Sequence, residues 1–269
     1  MYRPRDLHEL LKVLGTGPKK SLSQNFLIDG NIIRKIVDAA EVKEGEHVLE
    51  IGPGPGALTQ ELLARGAHVT AVEKDTYFAQ HLSTLGGSLQ VHCQDILDFD
   101  FSRIDQTKVI ANLPYHITTP IVTKLIQEHE KITSLVIMVQ YEVARRMIAK
   151  PGSKEYGSLT VFLNYHTAPE FMFKVSRKCF HPQPKVDSAV VALTLKNPPF
   201  ISNHERCLKL IRKAFGQRRK MLRKTWGEVF GVEAVSRELA RLGLPSTVRP
   251  EELSLEQFIN LFEGLAADR

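Results

Sequence analysis

The chain has 269 residues, 43% of them hydrophobic, enough for one full α/β domain and a smaller second one with a sizeable core. Its 36 basic and 30 acidic side chains leave a net charge of +6, a balance that favours a polyanionic partner. No apolar run approaches the roughly 18 residues that cross a bilayer, and no signal-like segment opens the chain, so a membrane protein is not expected. Cys93, Cys179 and Cys207 stand far apart without a C-x-x-C pair, which argues against a disulfide framework or a zinc site and suits a reducing cytoplasm. Histidines such as His47, His68, His92, His116 and His181 are scattered without ligand spacing, and no metal is implied.

Residues 1–30, with Lys19 and Lys20, are expected to be flexible until a ligand orders them. His47-Val48-Leu49-Glu50-Ile51 then reads as a short buried strand, and Gly52, Gly54 and Gly56 follow it directly before the helical pattern at 58–63. The next run, 68–73, ends in Glu73, and the third, 89–94, leads to Asp95. Val109-Ile110-Ala111 runs into Asn112-Leu113-Pro114-Tyr115. With 108–112, 135–140, 159–166 and 189–195, seven candidate strands can be read, with helical patterns between the first five, which predicts a mostly parallel sheet with helices on both faces. No clear helix separates 159–166 from 189–195, and Pro169, Pro182 and Pro184 fill the link, so these two are expected to form an antiparallel edge pair. Asn197-Pro198-Pro199 breaks the pattern, and helices are expected at 204–216, 218–230, 233–242 and 254–265, punctuated by Gly243 and Pro245. The division is an α/β domain over 1–197 and a small all-helical domain over 198–269.

Strand, tight glycine turn and helix start make a nucleotide-binding unit, in which Glu73, roughly 20 residues on, falls where a carboxylate meets ribose hydroxyls. Asp95, at the end of the neighbouring strand, can accept from an adenine amino group, so the glycines, Glu73 and Asp95 line one adenosine-shaped pocket. The turn lacks the Gly-Lys-Ser/Thr ending of a P-loop, but Gly52-x-Gly54-x-x-Ala57 also satisfies a relaxed dinucleotide fingerprint, so NAD competes with S-adenosylmethionine. Glu50 at the strand end would repel a pyrophosphate, whereas it can help to orient an ammonium; a solvated strand-end carboxylate is the plain alternative.

Asn112-Leu113-Pro114-Tyr115 has no obvious task in hydride transfer. The exocyclic nitrogen of adenine is a poor nucleophile, because its lone pair is delocalised into the ring, so a site acting on it must work by orientation and hydrogen bonding. An Asn oxygen and a backbone carbonyl of the adjoining turn can accept the two amino hydrogens and aim the lone pair at an incoming methyl group. Proline stiffens the turn, and the Tyr ring can stack on an unpaired base, worth about 1–3 kcal/mol. Alone, the tetrapeptide fits an ordinary strand exit with a core Tyr better; behind the glycine turn, it points to methylation of a base amino group.

From Arg206 to Lys224 the chain carries Lys209, Arg212, Lys213, Arg218, Arg219, Lys220 and Arg223 with no acid between. Arg206, Lys209 and Lys213 share helical spacing while Leu208, Ile211 and Phe215 form the apolar stripe, leaving a basic face for phosphate. Arg212, Lys213, Arg218, Arg219, Lys220 and Arg223 are the candidate RNA contacts.

Gln24-Asn25-Phe26-Leu27, the run from Glu50 to Thr59, Gln94-Asp95-Ile96-Leu97, Asn112-Leu113-Pro114-Tyr115 and the run from Phe180 to Ser188 resemble, in this order, the ribosomal RNA adenine dimethyltransferases, most of all the bacterial members acting on small-subunit (16S) RNA. The resemblance spans roughly residues 20 to 260. It implies a class I, Rossmann-like methyltransferase fold, S-adenosylmethionine as donor, and N6-dimethylation of two adjacent adenosines near the 3′ end of the RNA within a pre-ribosomal particle, by a monomer. It places Asn25, Leu27, Gly52, Glu73, Asp95 and Asn112 at the cofactor, Asn112, Leu113, Pro114 and Tyr115 at the reacting base, and Phe180 as an opposite stacking wall. Otherwise Phe180 anchors a proline-rich loop. Two rivals stay open: an Erm-type methyltransferase of large-subunit RNA, and a ribosome-assembly factor in which methylation is secondary.

Overall fold

A computed structural model describes residues 4–19 and 22–267. Along the chain run α1 (Pro4–Val13), β1 (Phe26–Leu27), α2 (Gly30–Ala39), β2 (His47–Ile51), α3 (Ala57–Ala64), β3 (His68–Glu73), α4 (Thr76–Leu82), β4 (Leu89–Cys93), β5 (Thr107–Asn112), α5 (Thr118–Gln127), β6 (Ile132–Gln140), α6 (Tyr141–Met147), α7 (Ser158–His166), β7 (Thr167–Val175), β8 (Phe180–His181) and β9 (Ser188–Leu195). The helices α8 (His204–Gly216), α9 (Leu222–Thr225), α10 (Gly227–Phe230), α11 (Val232–Arg241) and α12 (Leu255–Ala267) follow.

Seven strands form one sheet in the order β4-β3-β2-β5-β6-β9-β7. From β4 through β6 the neighbours are parallel, and β9 is antiparallel to β6. The central strands are apolar on both faces, with Leu49, Ile110, Leu135 and Ile137 fully buried, as strands covered by helices on two sides must be. This is the expected class I arrangement, and it brings the carboxyl ends of β2, β3, β4 and β5 together on one rim.

The chain divides into two compact units: the part up to Ala144 with Ala168–Leu195, and Arg145–Thr167 with the part from Lys196 onward. The expected boundary at 197/198 therefore misses an excursion of the chain. The predicted strand 159–166 is instead the helix α7, and the strand that reaches the edge of the sheet is 167–175. A short apolar run does not separate strand from helix by pattern alone. Here Val161 and Tyr165, four residues apart on one helix face, enter the core of the second unit, whereas Pro169 and Glu170 disguise a true edge strand, where proline is tolerated. β7 and β9 meet at both ends, through Lys196 N–H on the His166 carbonyl and Arg177 N–H on Asp187, so they run antiparallel.

The N-terminal segment also departs from expectation. Leu7 and Leu11 of α1 are buried in a cluster with Phe26 and Phe78, because their four-residue spacing gives the helix an apolar stripe. Lys20 lies outside the described residues.

In the second unit, Trp226 is fully buried among Phe230, Phe258 and Phe262, and its indole N–H donates to the Leu210 carbonyl at 3.3 Å. The expected helix over 218–230 is the pair α9 and α10, beginning only at Leu222, whose N–H is held by the Val248 carbonyl. In α8 the buried stripe is Cys207, Leu210, Ile211 and Ala214, with Leu208 and Phe215 only partly covered.

Candidate active site

β2 ends in a turn in which Gly52, Gly54 and Gly56 all have positive φ (63°, 55° and 86°). A Cβ on Gly54 would press on the Phe26 ring at 3.1 Å, and one on Gly56 would come within 2.9 Å of Leu82; at Gly52 it would meet nothing within 4 Å. Gly54 and Gly56 are therefore required by packing as well as by their positive φ, whereas Gly52 leaves an open cradle. Gly56 caps α3 without a side chain, and Glu50 serves the first turn in its place, bonding the Thr59 backbone N–H and accepting from the Thr59 hydroxyl at 2.6 Å. Glu50 is only 1% exposed, which excludes the solvated strand-end reading. Burial pushes its carboxyl up to about 8, opposed by the Thr59 hydrogen bond and reinforced by repulsion from Glu73.

Glu73, at the end of β3, accepts from Gly54 N–H (2.9 Å) and Asp75 N–H (2.7 Å), so the carboxylate and the glycine turn fix one another. Burial raises its pKa, and those N–H bonds work the other way. At Asp95, beyond β4, burial also works upward but is outweighed by Lys74, whose ammonium lies 2.8 Å away, and by the Leu97 N–H, so the carboxyl stays below its ordinary value.

Asn112, at the end of β5, donates from Nδ2 to the Asn25 carbonyl at 3.2 Å, and Asn25 donates in turn to the Ser23 carbonyl at 3.0 Å. That bond uses one of the two Nδ2 hydrogens, and Oδ1 is the acceptor atom of the Asn112 amide. The Pro114 carbonyl already accepts from Ile117 N–H and the Thr118 hydroxyl. Leu113 is buried, and its N–H is bound by the Met138 carbonyl. The Tyr115 hydroxyl pairs with Ser188 Oγ at 2.6 Å, which fixes the ring, and burial raises its pKa.

Asn25, Leu27, Gly52, Glu73, Asp95, Asn112, Leu113, Pro114 and Tyr115 all line one cavity of about 180 Å³, as does Glu50. That volume is many times the roughly 10–15 Å³ that a single water needs, so the space suits a ligand. Its acceptors, its glycine cradle and its two buried acids without a cationic partner among the described residues fit a cationic adenosine-bearing group.

Phe180 does not join them. It is 3% exposed, pairs with Leu27 across the β1–β8 ladder and sits in the core with Ile33, Ile36 and Val190. The expected stacking wall is here an apolar anchor, because a ring flanked by aliphatic side chains is buried with them. Sequence reading also passed over a node beneath the N-terminal segment. Asp75 is 2% exposed and receives Lys19 Nζ at 2.8 Å, Gln24 Nε2 at 3.2 Å and Tyr77 N–H at 3.1 Å. Its visible signal was an Asp placed as N-cap ahead of a helix.

Of the six candidate RNA contacts, Arg212, Lys213, Arg219 and Lys220 are exposed. Lys213 is paired with Glu228 at 2.6 Å. Arg218 is a structural clip: it donates to the Lys154 carbonyl (2.8 Å) and the Ser153 carbonyl (3.2 Å) and lies 3.7 Å from Glu251. Arg223 is half-buried, with its Nε enclosed. Among the described residues no cluster of His, Cys, Asp and Glu is arranged to hold a metal, and no helix is long and apolar enough to cross a membrane.

Parallel strands ending in carboxylates around a glycine turn, followed by an Asn-Leu-Pro-Tyr strand exit, define a class I methyltransferase site. The sequence profile described as "Ribosomal RNA adenine dimethylase" matches residues 16–267. A ribosomal RNA small subunit methyltransferase A of Protochlamydia amoebophila is 51% identical over 98% of this chain and 97% of its own, and that of Chlamydia caviae is 45% identical over 98% of both. Among solved structures, a dimethyladenosine transferase from Plasmodium falciparum aligns with a TM-score of 0.73 and 28% identity over 88% of this chain and 95% of its own. The 23S rRNA methyltransferase ErmE aligns at 0.70 and 29% over 90% and 100%. The chain belongs to the ribosomal RNA adenine dimethylase family. It is an S-adenosylmethionine-dependent rRNA adenine dimethyltransferase.

Proposed function

We propose that this enzyme dimethylates the N6 nitrogens of two adjacent adenosines near the 3′ end of small-subunit rRNA, acting as a cytoplasmic monomer on a pre-ribosomal particle. The observation that carries the residue assignment is the Asn112 amide, which lines the cavity and is anchored through Nδ2 on the Asn25 carbonyl. In this reading Asn112 Oδ1 and the Leu113 carbonyl, the backbone acceptor of the turn not already occupied by Ile117 and Thr118, take the two amino hydrogens and orient the nitrogen. Tyr115, braced by Ser188, stacks on the presented base. Gly52 gives close backbone approach, Glu73 holds ribose hydroxyls, Asp95 accepts the adenine amino group, and Asn25 and Leu27 close the cavity from the N-terminal side. S-adenosylmethionine, when bound, supplies an electrophilic methyl group on a sulfonium. No general base is required before attack, since the amino proton becomes acidic only once the nitrogen carries the new bond.

In the second unit, Arg212, Arg219 and Lys220 are the phosphate contacts of this reading, with Lys213 and Arg223 beside them and Arg218 holding the local structure. The test is transfer of labelled methyl groups to unmethylated small-subunit particles and, separately, to large-subunit RNA, with the nucleoside identified by mass spectrometry. Dimethyladenosine confined to the small subunit is expected. Label only in the large-subunit RNA would move the enzyme to the class of the ErmE neighbour, and assembly rescued in full by Asn112→Ala would favour the assembly-factor reading.

A further inference from the structure

Three buried or half-buried carboxylates, Glu50, Glu73 and Asp95, line the cavity, with Asp75 directly beyond Glu73 through its N–H, and they are treated differently. Asp95 has Lys74 and Asp75 has Lys19, each ammonium 2.8 Å away. Glu50 and Glu73, 1% and 5% exposed, have no cationic partner among the described residues and are held by neutral donors: Thr59 for Glu50, the Gly54 and Asp75 amides for Glu73. Two neighbouring acids taken out of water without a counter-ion do not both ionise readily, and one of them retains its proton until a cation arrives. Glu50 is the responsive member: it is the more deeply buried of the two, and beside the Thr59 backbone N–H it has the Thr59 hydroxyl, whose short bond to Oε2 can adapt to either protonation state, whereas Glu73 is held by backbone amides that only donate.

We infer that Glu50, positioned by Thr59, is a proton-linked charge selector that loses its proton when the sulfonium substrate fills the cavity and keeps it when the neutral thioether product does. The inference rests on the reading of this cavity as the cofactor site. The balance is simple: the carboxyl O–H bond breaks, the proton goes to solvent, and the carboxylate remains hydrogen-bonded to Thr59. Substrate binding is thereby favoured over product binding by the charge that the reaction removes. The carboxyl of the free protein, raised to about 8, puts this exchange in the neutral range. Affinity for the sulfonium should rise with pH by up to about tenfold per unit below that value and level off above it.

Other groups face the same region: Glu73 from β3, Asp75 with Lys19 across the start of α4, Asp95 with Lys74 beyond β4, Tyr115 and His116 after β5, and His81 of α4, which is bonded to the Pro55 backbone. These groups, and the amino group of the ligand, are common to complexes with S-adenosylmethionine and S-adenosylhomocysteine. The difference between the two ligands isolates the sulfonium.

Titration calorimetry of both nucleosides in buffers of different ionisation enthalpy, from pH 6 to 9, counts the protons released. Near neutral pH the wild type should release more protons with S-adenosylmethionine, by about half to one. Its preference over the thioether should grow severalfold per pH unit up to about 8. Glu50→Gln should abolish the difference. Thr59→Val, which removes the hydroxyl donor, should move the release to higher pH, with Thr59→Ser restoring it. Equal release for the two ligands in the wild type, or a difference that survives in a folded Glu50→Gln, overturns the inference. Binding of neither nucleoside would instead overturn the cavity assignment itself.

Discussion

The cavity and the basic segment from Arg206 to Lys224 use polar side chains in opposite ways. Around the cavity nearly every polar group is fixed by a neighbour: Asn112 by Asn25, Tyr115 by Ser188, Glu73 by Gly54 and Asp75, and Glu50 by Thr59. On the basic segment, Arg212, Arg219 and Lys220 stand in water, Lys213 meets Glu228 in an exposed ion pair, and Arg218 alone of the six candidates is tied to backbone carbonyls of the described residues. The contrast separates orientation, which needs restrained atoms, from charge density, which does not. Mutations should accordingly be individual and large in the first region, small and cumulative in the second.

The largest effect is expected at Asn112. Asn112→Ala should lower kcat by about 10²- to 10³-fold, the range for removing one positioned hydrogen-bonding group, with S-adenosylhomocysteine binding changed far less. Single-turnover kinetics beside calorimetry separate the two, and unchanged turnover would break the comparison at its strongest point.

Next comes Tyr115. Ser188→Ala should lower activity on RNA by about fivefold through loss of the hydrogen bond that fixes the ring, an effect of about 1 kcal/mol. In a Tyr115→Phe background, which already lacks the hydroxyl, the same substitution should do little more. Additive losses in that double-mutant cycle would show that Ser188 acts elsewhere.

The pH dependence of stability sharpens the contrast within the cavity. Glu50 has its folded pKa raised above the ordinary 4.5, so its contribution is fully present below that value and is lost as pH rises towards about 8. Asp75 and Asp95 are held low, so their stabilisation is present at neutral pH and is lost as pH falls through the acid range. Chemical denaturation of ligand-free protein should therefore show Glu50→Gln flattening the loss on the neutral side alone. An unchanged profile would mean that Glu50 ionises without penalty.

The smallest single effects belong to the basic segment. Arg212→Ala, Arg219→Ala or Lys220→Ala should each weaken RNA binding by roughly three- to tenfold at about 0.1 M salt and reduce the salt slope by about 0.7. Arg218→Ala should differ in kind, lowering stability through the freed Ser153 and Lys154 carbonyls. Should it behave like its neighbours, the division between structural and phosphate-facing arginines would fail.

Local pattern made much of this legible. The strands at 47–51, 68–73 and 89–93 follow from short apolar runs ending in a glycine turn or a carboxylate, and the lining residues Gly52, Glu73, Asp95 and Asn112 lie at strand ends, where parallel sheets gather their ligands. The helix at 204–216 was likewise legible from its period. What misled was apolar character without a partner to interpret it. The run 159–166 reads as a strand until Val161 and Tyr165 find the core around Trp226, and Phe180 reads as a stacking wall until Ile33, Ile36 and Val190 enclose it.

The sequence by itself determined the order of elements, the glycine turn, the set of acids and the Asn-Leu-Pro-Tyr exit, because each depends on backbone preference or on a period of a few residues. Only the tertiary structure decided which acids are paired. Lys19 reaches Asp75 and Lys74 reaches Asp95, while Glu50 and Glu73 are left with neutral donors. The physical reason is that desolvation and Coulomb interaction depend on distance and burial in space, and neither is encoded in the spacing of residues along the chain.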